Sequence, residues 1–549
     1  MRTQLPLLMG LLVGCTAQPP EEQPEMEQPW FVDQAAANGV DFTYQSGADG
    51  AYNIIETMGG GAALLDYDND GDMDLYIVQG GSLRGDIGGL PNRLYENTGD
   101  GVFVDRTERS GASDIGYGIG VATGDYDNDG HTDLYVTNLG RNTLLRNDGN
   151  GVFSDVTDLA GVGGDTFSAC AAFADLDRDG DLDLFVTNYL NWTPETEQPC
   201  FDSQSRRDYC NPEVYDAAVP DALYLNQGDG TFLDASDSSG IASVPGTGLG
   251  VAIADVAGDE LPDIFVANDG MPDRLWVNMG GGVFREQGMQ AGCAVDDSGK
   301  EKAGMGADFH DIDGDGDLDL LVTNLFGETD SLFLNQDGIF IDAAARWGLA
   351  ATSRPYTGWG TAVADFDNDG RDDLFVATGR VRWQPDLHSE GDPLAEPNVL
   401  YRQIGTGRFE EVQPLGGTAT PQIVTSHGVT SGDLDGDGGI DLVVINKDAS
   451  LGVLQNVVAH RGNWIMLDVR SPSGSPAIGA IVTVRLSDGT QFVRVVRTAR
   501  GYASAHDPRI HIGLGAAGEV QRVQVRWPTG EETDHGPLAG GQAHTITPG

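Results

Sequence analysis

A nine-residue pattern governs this chain. Asp66-Tyr67-Asp68-Asn69-Asp70-Gly71-Asp72-Met73-Asp74 places carboxylates at positions 1, 3, 5 and 9 and a glycine at position 6. The same spacing returns at Asp125, Asp127, Asp129 and Asp133, then at Asp175, Asp177, Asp179 and Asp183. It returns again at Asp311, Asp313, Asp315 and Asp319, at Asp365, Asp367, Asp369 and Asp373, and at Asp433, Asp435, Asp437 and Asp441. A seventh copy is broken: Asp255, Asp259 and Asp263 stand, but Ala257 replaces the second carboxylate and Glu260 the glycine. A hard cation such as Ca²⁺ takes about six to eight oxygens, and alternate aspartates on a turning backbone aim several at one point. The six intact loops are therefore expected to hold about six Ca²⁺ ions, through side chains at positions 1, 3, 5 and 9 and the backbone carbonyl at 7. Position 7 varies freely among Asp72, His131, Asp181, Asp317, Arg371 and Gly439, as a backbone ligand allows.

Every copy runs straight into an apolar, β-favouring stretch such as Leu75-Tyr76-Ile77-Val78 or Leu374-Phe375-Val376-Ala377. An EF-hand needs Glu at position 12 and a following helix, whereas the first three copies have Ile77, Val136 and Val186 there. A second element follows in most copies: an apolar pair, Asn, a glycine turn and Phe, as from Leu94 to Phe103 or Leu275 to Phe284. Each period thus holds the strands of one β-propeller blade. The last copy lacks its Gly-x-Phe strand, while Phe31-Val32-Asp33 stands at the other end with no blade before it. The expected fold is all-β, a seven-bladed propeller over 30–458 whose ring is closed by residues 31 to 33.

The flanks differ from the repeats. Met1-Arg2, an apolar run from Leu5 to Val13 and Gly14 have the form of a signal peptide over 1–14, too short to span a bilayer. Residues 15–29, rich in Pro, Gln and Glu, suit a tether. Cys200 and Cys210 bracket a polar insertion in the third repeat and are expected to form a local disulfide, whereas Cys170 and Cys293 are left as buried thiols or a pair. Residues 459–549 alternate apolar and polar, which implies a small antiparallel β-domain packed on the propeller. The 31 basic against 85 acidic residues give a net charge of -54, which repels nucleic acid and anionic lipid.

The Asp-x-Asp-x-Asp-Gly loops resemble FG-GAP or VCBS-type calcium loops of surface propellers. The C-terminal segment resembles the ASPIC/UnbV domain, through Asn463-Trp464, Ile478-Gly479-Ala480, Arg500-Gly501-Tyr502, His511-Ile512-Gly513-Leu514-Gly515 and Val525-Arg526-Trp527-Pro528-Thr529-Gly530. With Met58-Gly59-Gly60-Gly61 and Gly358-Trp359-Gly360 before the first and sixth loops, the order of motifs is similar to the cartilage acidic protein family. Leu12-Val13-Gly14-Cys15 resembles a bacterial lipobox, which implies lipidation at Cys15 and an anchor in the cell envelope, at the outer membrane or cell surface. The resemblance implies a secreted or surface-bound calcium-binding protein without a known reaction.

Neither a His-Glu-x-x-His, a Gly-x-Ser-x-Gly nor a phosphate-cradling loop appears. The expected function is a non-enzymatic binding or adhesion module with a protein or glycan partner at the cell surface, no nucleic-acid partner, and membrane contact only through the lipid. A secreted hydrolase acting on carbohydrate or another polymer, built on a carboxylate pair among the many acidic residues, is the alternative; a purely structural envelope component is a third. His310 and His511 are candidate ligands or bases, and Trp359 and Trp383 candidate ligand platforms, each against an ordinary structural role.

Overall fold

The loops lead into strands, as their apolar successors require. A computed structural model describes residues 28–85, 87–383, 392–405, 407–459 and 461–549. The signal-like segment, Cys15 and nearly all of the tether lie outside the described residues. Seven four-stranded antiparallel blades follow one another around an axis; six are sheets of their own, and the sheet of the first is extended to six strands by a hairpin of the C-terminal domain that pairs in parallel, Ala63 opposite Ala505. In the fourth, Gly248–Ala254 is innermost, and Asp263–Asn268, Arg274–Asn278 and Phe284–Glu286 follow outward, with each acidic loop joining the first strand to the second. The first strands of neighbouring blades lie so close that a Cβ at Gly250 would stand 2.4 Å from the Met305 carbonyl oxygen of the next blade. This explains the small residues before each loop: the inner strands meet backbone to backbone.

Phe31–Asp33 pairs antiparallel with Gly452–Asn456, Phe31 opposite Asn456, and supplies the outer strand of the seventh blade. Closure is made by side chains as well. Phe31 is fully buried and meets Phe366 edge-on at 5.3 Å between ring centres.

The third-blade insertion begins where the strand Asp183–Asn188 ends, on the face opposite the acidic loops. Cys200 and Cys210 are joined, with Cα atoms 5.2 Å apart, while Cys170 and Cys293 are separate buried thiols. The insertion reaches blade 1: Tyr209 donates to Glu56 Oε2 at 3.0 Å, Arg207 to the Ala51 carbonyl at 3.1 Å, and Glu197 accepts from the Ile54 N–H at 3.0 Å.

The C-terminal domain holds two main sheets. Gln491–Val495, Ile481–Arg485, Arg522–Arg526 and Glu532–His535 form one, and Ile510–Gly515, Asn463–Val469 and Ala543–Ile546 the other. It is not wholly antiparallel, because Asn463–Val469 and Ala543–Ile546 pair in parallel. A returning chain end can lie parallel to an earlier strand once a long connection separates them.

This domain does more than pack on the propeller. Its hairpin Ala499–Arg500 and Ser504–Ala505 enters the axis. Gly501 exchanges two backbone hydrogen bonds with Ala307, at 2.8 and 3.1 Å, and the Val121 N–H donates to the Ala503 carbonyl. Thr430 Oγ1 donates to the Ala505 carbonyl at 2.7 Å, the Ala503 N–H to Cys170 Sγ at 3.0 Å, and the Ala62 N–H to Ser504 Oγ at 3.3 Å. Five blades are thereby bonded to one hairpin. Tyr502, fully buried, donates to the Met58 carbonyl and stands 4.9 Å from the Trp359 ring. Trp359 is therefore a core residue, and the axis is filled by an apolar cluster that includes Ile55, Phe167, Leu249 and Met305.

Phe31→Ala is expected to destabilise the protein by about 3–5 kcal/mol, the usual cost of truncating a buried Phe. Chemical denaturation measures it; an unchanged midpoint would show that the ring does not depend on its N-terminal strand.

Candidate metal centre

The chemistry of the acidic loops starts from their backbone. Position 6 is left-handed in every intact copy, from φ 81° at Gly438 to 101° at Gly316. Position 4 is left-handed as well: Asn69 at 61°, Asn128 at 57°, Arg178 at 66°, Asn368 at 56°, with glycine in the other three copies. This second requirement was visible in the sequence as Asn or Gly at position 4 in all copies but one.

Two aspartates knit each loop. The position-1 carboxylate turns inward and accepts the N–H of position 6 in every intact loop. It accepts that of position 5 as well in the first, second, third and sixth, as Asp66 does from Asp70 and Gly71 at 3.0 and 3.2 Å. In the fifth and seventh the position-5 N–H donates to the aspartate at position 3. The position-9 carboxylate accepts one N–H from position 2 and another from the third strand. Asp74 accepts from Tyr67 and Asn97 at 3.0 and 2.8 Å, Asp183 from Leu176 and Asn226 at 2.8 Å each, and Asp441 from Leu434 and Asn456 at 3.1 and 2.7 Å. The broken loop keeps this bond pair, with Asp263 accepting from Val256 and Asn278.

The same asparagines carry the ring from blade to blade. Asn97 donates its side-chain amide to the Leu434 carbonyl, Asn147 to Tyr67, Asn226 to Tyr126, Asn278 to Leu176, Asn335 to Val256, Gln403 to Ile312 and Asn456 to Phe366, all at 2.7–3.1 Å. Each acceptor is position 2 of the preceding blade's loop, so the amides form a complete circuit. The Asn that ends this strand, Gln403 in the sixth blade, was in plain sight in the sequence; its partner one blade away was not.

With these bonds made, the remaining carboxylate oxygens converge. Ligand atoms of Asp66, Asp68 and Asp70, and of Asp311, Asp313 and Asp315, lie within 4.8 Å of one another. Asp125 and Asp127 gather instead with Asp133, Asp175 and Asp177 with Asp183, and Asp365 and Asp367 with Asp373. Asp127 Oδ1, Asp177 Oδ1 and Asp367 Oδ1 at position 3, and Asp433 Oδ1 at position 1, are buried without a hydrogen-bond partner. Buried orphan oxygens inside a cluster of acceptors are what a hard cation would satisfy, so the residues fit Ca²⁺. Loops 6 and 7 also carry protein cations: Arg402 stands 2.5 Å from Asp367 and 3.1 Å from Asp369, and Arg461 pairs with Asp437.

Electrostatics follows. Burial pushes the carboxyl of Asp74 up to about 8 and those of Asp183 and Asp319 to about 7, and neighbouring loop aspartates add to the rise. Asp133, Asp373 and Asp441 are raised well above the usual range for the same reason.

The C-terminal domain lies against the loop face, bonded to loops 1, 2, 6 and 7. Ser473 Oγ donates to Asp125 Oδ2 at 3.0 Å, Arg470 stands 3.6 Å from Asp66, the Gly515 N–H donates to the Asn368 carbonyl at 3.0 Å, and Arg509 donates to the Asp433 carbonyl at 3.0 Å. Beneath it lie buried ion pairs, Arg497 with Asp308 at 2.7 Å and Arg494 with Asp372 at 2.6 Å. His310 shares Asp372 at 2.9 Å, and burial pushes the His511 imidazole down to about 4. Both histidines belong to this interface. On the opposite face Trp383 is half-buried beneath the Arg206 guanidinium, 3.2 Å from its ring centre.

The architecture and its loops define a class, a propeller of acidic-loop repeats with a C-terminal domain seated on the loop face. Residues 66–136, 125–186, 255–322 and 311–376 match the FG-GAP-like repeat, and residues 470–549 match ASPIC and UnbV. Cartilage acidic protein 1 of Homo sapiens is 27% identical over 343 residues, 61% of this chain and 49% of that protein. The Mus musculus protein is 28% identical over 327 residues, 58% and 48% of the two chains. The chain thus belongs to the FG-GAP and ASPIC/UnbV family that includes cartilage acidic protein 1, and it spans about half the length of the curated relatives it matches. Among solved structures it is similar to YCF48 bound to D1 peptide, with a TM-score of 0.40, 8% identity and coverage of 73% of this chain and 93% of that one. Similar too is rhamnogalacturonan lyase YesW, with a TM-score of 0.38, 15% identity and coverage of 73% and 72%.

Asn278→Ala removes the interblade amide at the broken loop and is expected to cost about 1–3 kcal/mol, because the Leu176 and Pro262 carbonyls lose a buried donor. Equilibrium denaturation without metal measures it. The raised carboxyls set a pH dependence as well. In metal-free protein the folded state holds Asp74, Asp183 and Asp319 above the unfolded value of about 4, so stability is full below that value and lost as pH rises through about 7 to 8. Melting of metal-free protein is expected to fall between pH 5 and pH 8, and added Ca²⁺ to abolish the fall.

Proposed function

We propose that this chain is an extracytoplasmic binding module whose six intact loops hold structural Ca²⁺ between the propeller and the C-terminal domain. The observation that carries it is the set of orphan buried carboxylate oxygens at Asp127, Asp177, Asp367 and Asp433, each inside an intact loop. A bound Ca²⁺ would neutralise the clustered carboxylates. The protein's part is to orient them: positions 4 and 6 turn the loop, and position 9 fixes it to the third strand. The aspartates are engaged as ligands and backbone anchors, which leaves them unsuited to acid–base turnover and supports binding rather than catalysis.

The binding face lies outside the axis, because the hairpin around Tyr502 and the apolar cluster it joins, which includes Trp192 of the insertion, fill the axis. A protein or glycan of the cell surface is the partner class, with secretion directed by residues 1–14 and anchoring by acylated Cys15. Among the described residues no helix is long and apolar enough to cross a membrane.

Chelation is expected to lower the melting temperature and Ca²⁺ to restore it, since a ligand bound only by the folded state stabilises it. Differential scanning fluorimetry with and without chelator tests this, and coincident melts would remove calcium from the account. Mass spectrometry of the envelope-extracted protein checks acylation at Cys15, and retention of envelope proteins or glycans with and without Ca²⁺ checks the binding role.

A further inference from the structure

The broken fourth loop is not an abandoned one. Two residues, one in this loop and one in its neighbour, sit where the backbone disfavours their side chains. Glu260 occupies position 6 at φ 70°, where every intact loop has glycine, and Arg178 occupies position 4 of the neighbouring third loop at φ 66°, where the others have Asn or Gly. Side chains other than Gly or Asn are disfavoured in this region and persist where something holds them. Both residues reach the same place. Arg526, from the C-terminal domain, stands 3.1 Å from Glu260 Oε1 and 3.7 Å from Asp255 Oδ2, and Arg178 stands 3.8 Å from Glu260 Oε2.

The rest of the loop is intact. Asp255 accepts the N–H groups of Gly258, Asp259 and Glu260 at 2.8, 3.2 and 2.9 Å, and Asp263 keeps its two backbone bonds. What is missing is the position-3 carboxylate, here Ala257, which in loops 2, 3 and 6 carries an orphan oxygen. The loop has therefore lost a metal ligand and gained a carboxylate aimed at a guanidinium. In loops 6 and 7, by contrast, Arg402 and Arg461 meet an unbroken set of four aspartates.

We propose that Arg526 is the resident cation of the fourth loop: its guanidinium neutralises Asp255 and Glu260 where the other six loops take a divalent ion. The fourth blade is thereby latched to the C-terminal domain without metal. The Val525-Arg526-Trp527-Pro528 segment supports the geometry, because Val525 and Trp527 are buried in the core of the C-terminal domain on either side of Arg526, which lines a cleft together with Phe173, Ile253 and Ile478.

The inference about metal occupancy rests on the calcium reading, while the latch does not, and the test separates them. Arg526→Gln is compared with Arg522→Gln, which breaks an exposed pair with Asp534 on the same strand. Arg526→Gln is expected to lower the melting temperature by about 1–3 °C more than Arg522→Gln, equally in Ca²⁺ and in metal-free buffer. Equal melting of the two variants would overturn the latch. Calcium bound per chain is then counted by equilibrium dialysis and elemental analysis. Ala257→Asp with Glu260→Gly restores four aspartates and removes the Glu260 pair, leaving Arg526 beside Asp255 much as Arg470 stands beside Asp66 of an intact loop, and is expected to bind one more Ca²⁺ than wild type. No gain from the restored loop while wild type binds calcium would overturn the replacement. Wild type that binds no calcium would refute the calcium reading and leave the latch to be judged by the metal-free melts.

Discussion

The ring depends on one repeated amide bond. A blade is a sheet with two open edges, and nothing in the pairing of its four strands says how it should sit beside the next. The side-chain amide of Asn278 settles this: it donates to the Leu176 carbonyl at position 2 of the blade before it and to its own Pro262 carbonyl. Position 2 in turn donates its N–H to the position-9 aspartate of its own loop, as Leu176 does to Asp183, which accepts from Asn226 of the same blade. Carboxylate, backbone and amide form one chain of buried bonds that runs from each blade to the next. Buried polar groups left unmatched are costly, so a blade that slipped would leave several at once.

The C-terminal domain supplies what the ring lacks at its centre. The hairpin at Tyr502 bonds to five blades through backbone groups, Cys170 and Ser504, and its tyrosine completes the apolar cluster on the axis. A propeller with an open channel can place a ligand there; this one cannot, because Tyr502 and Trp359 occupy the space. The acidic loops are consequently not a free rim. Ser473, Arg470 and Arg509 lie against them, so cations in the loops would bear on the seating of the second domain as well as on the turn of each blade.

Much of this was legible in the sequence. The period of the aspartates, the apolar runs after them and the stray Phe31-Val32-Asp33 led to seven blades and to their closure, because each rests on side chains repeated at fixed spacing. The axial hairpin was not legible. Arg500-Gly501-Tyr502 marked the C-terminal family, but its partners are mostly backbone groups of Ala307, Val121 and Met58, and a backbone hydrogen bond leaves no trace in residue type. The parallel pairing of Asn463–Val469 with Ala543–Ile546 escaped for a similar reason, since alternation shows which face is buried and not which way a neighbour runs. The cationic partner of the broken loop was out of reach because Arg526 and Asp255 are brought together only by the docking of two domains.

The broken loop also separates two roles that the intact copies confound. Asp263 is as buried as its counterparts and makes the same two backbone bonds, although its loop has lost the carboxylate at position 3. Position 9 must therefore be retained for the blade, whatever happens to the cation. Positions 3 and 6 differ in this loop, which holds Ala257 and Glu260 there and has Arg526 paired with Glu260. The nine-residue pattern is thus two overlapping features, a structural tie at position 9 that all seven blades keep and a full set of four aspartates that six keep.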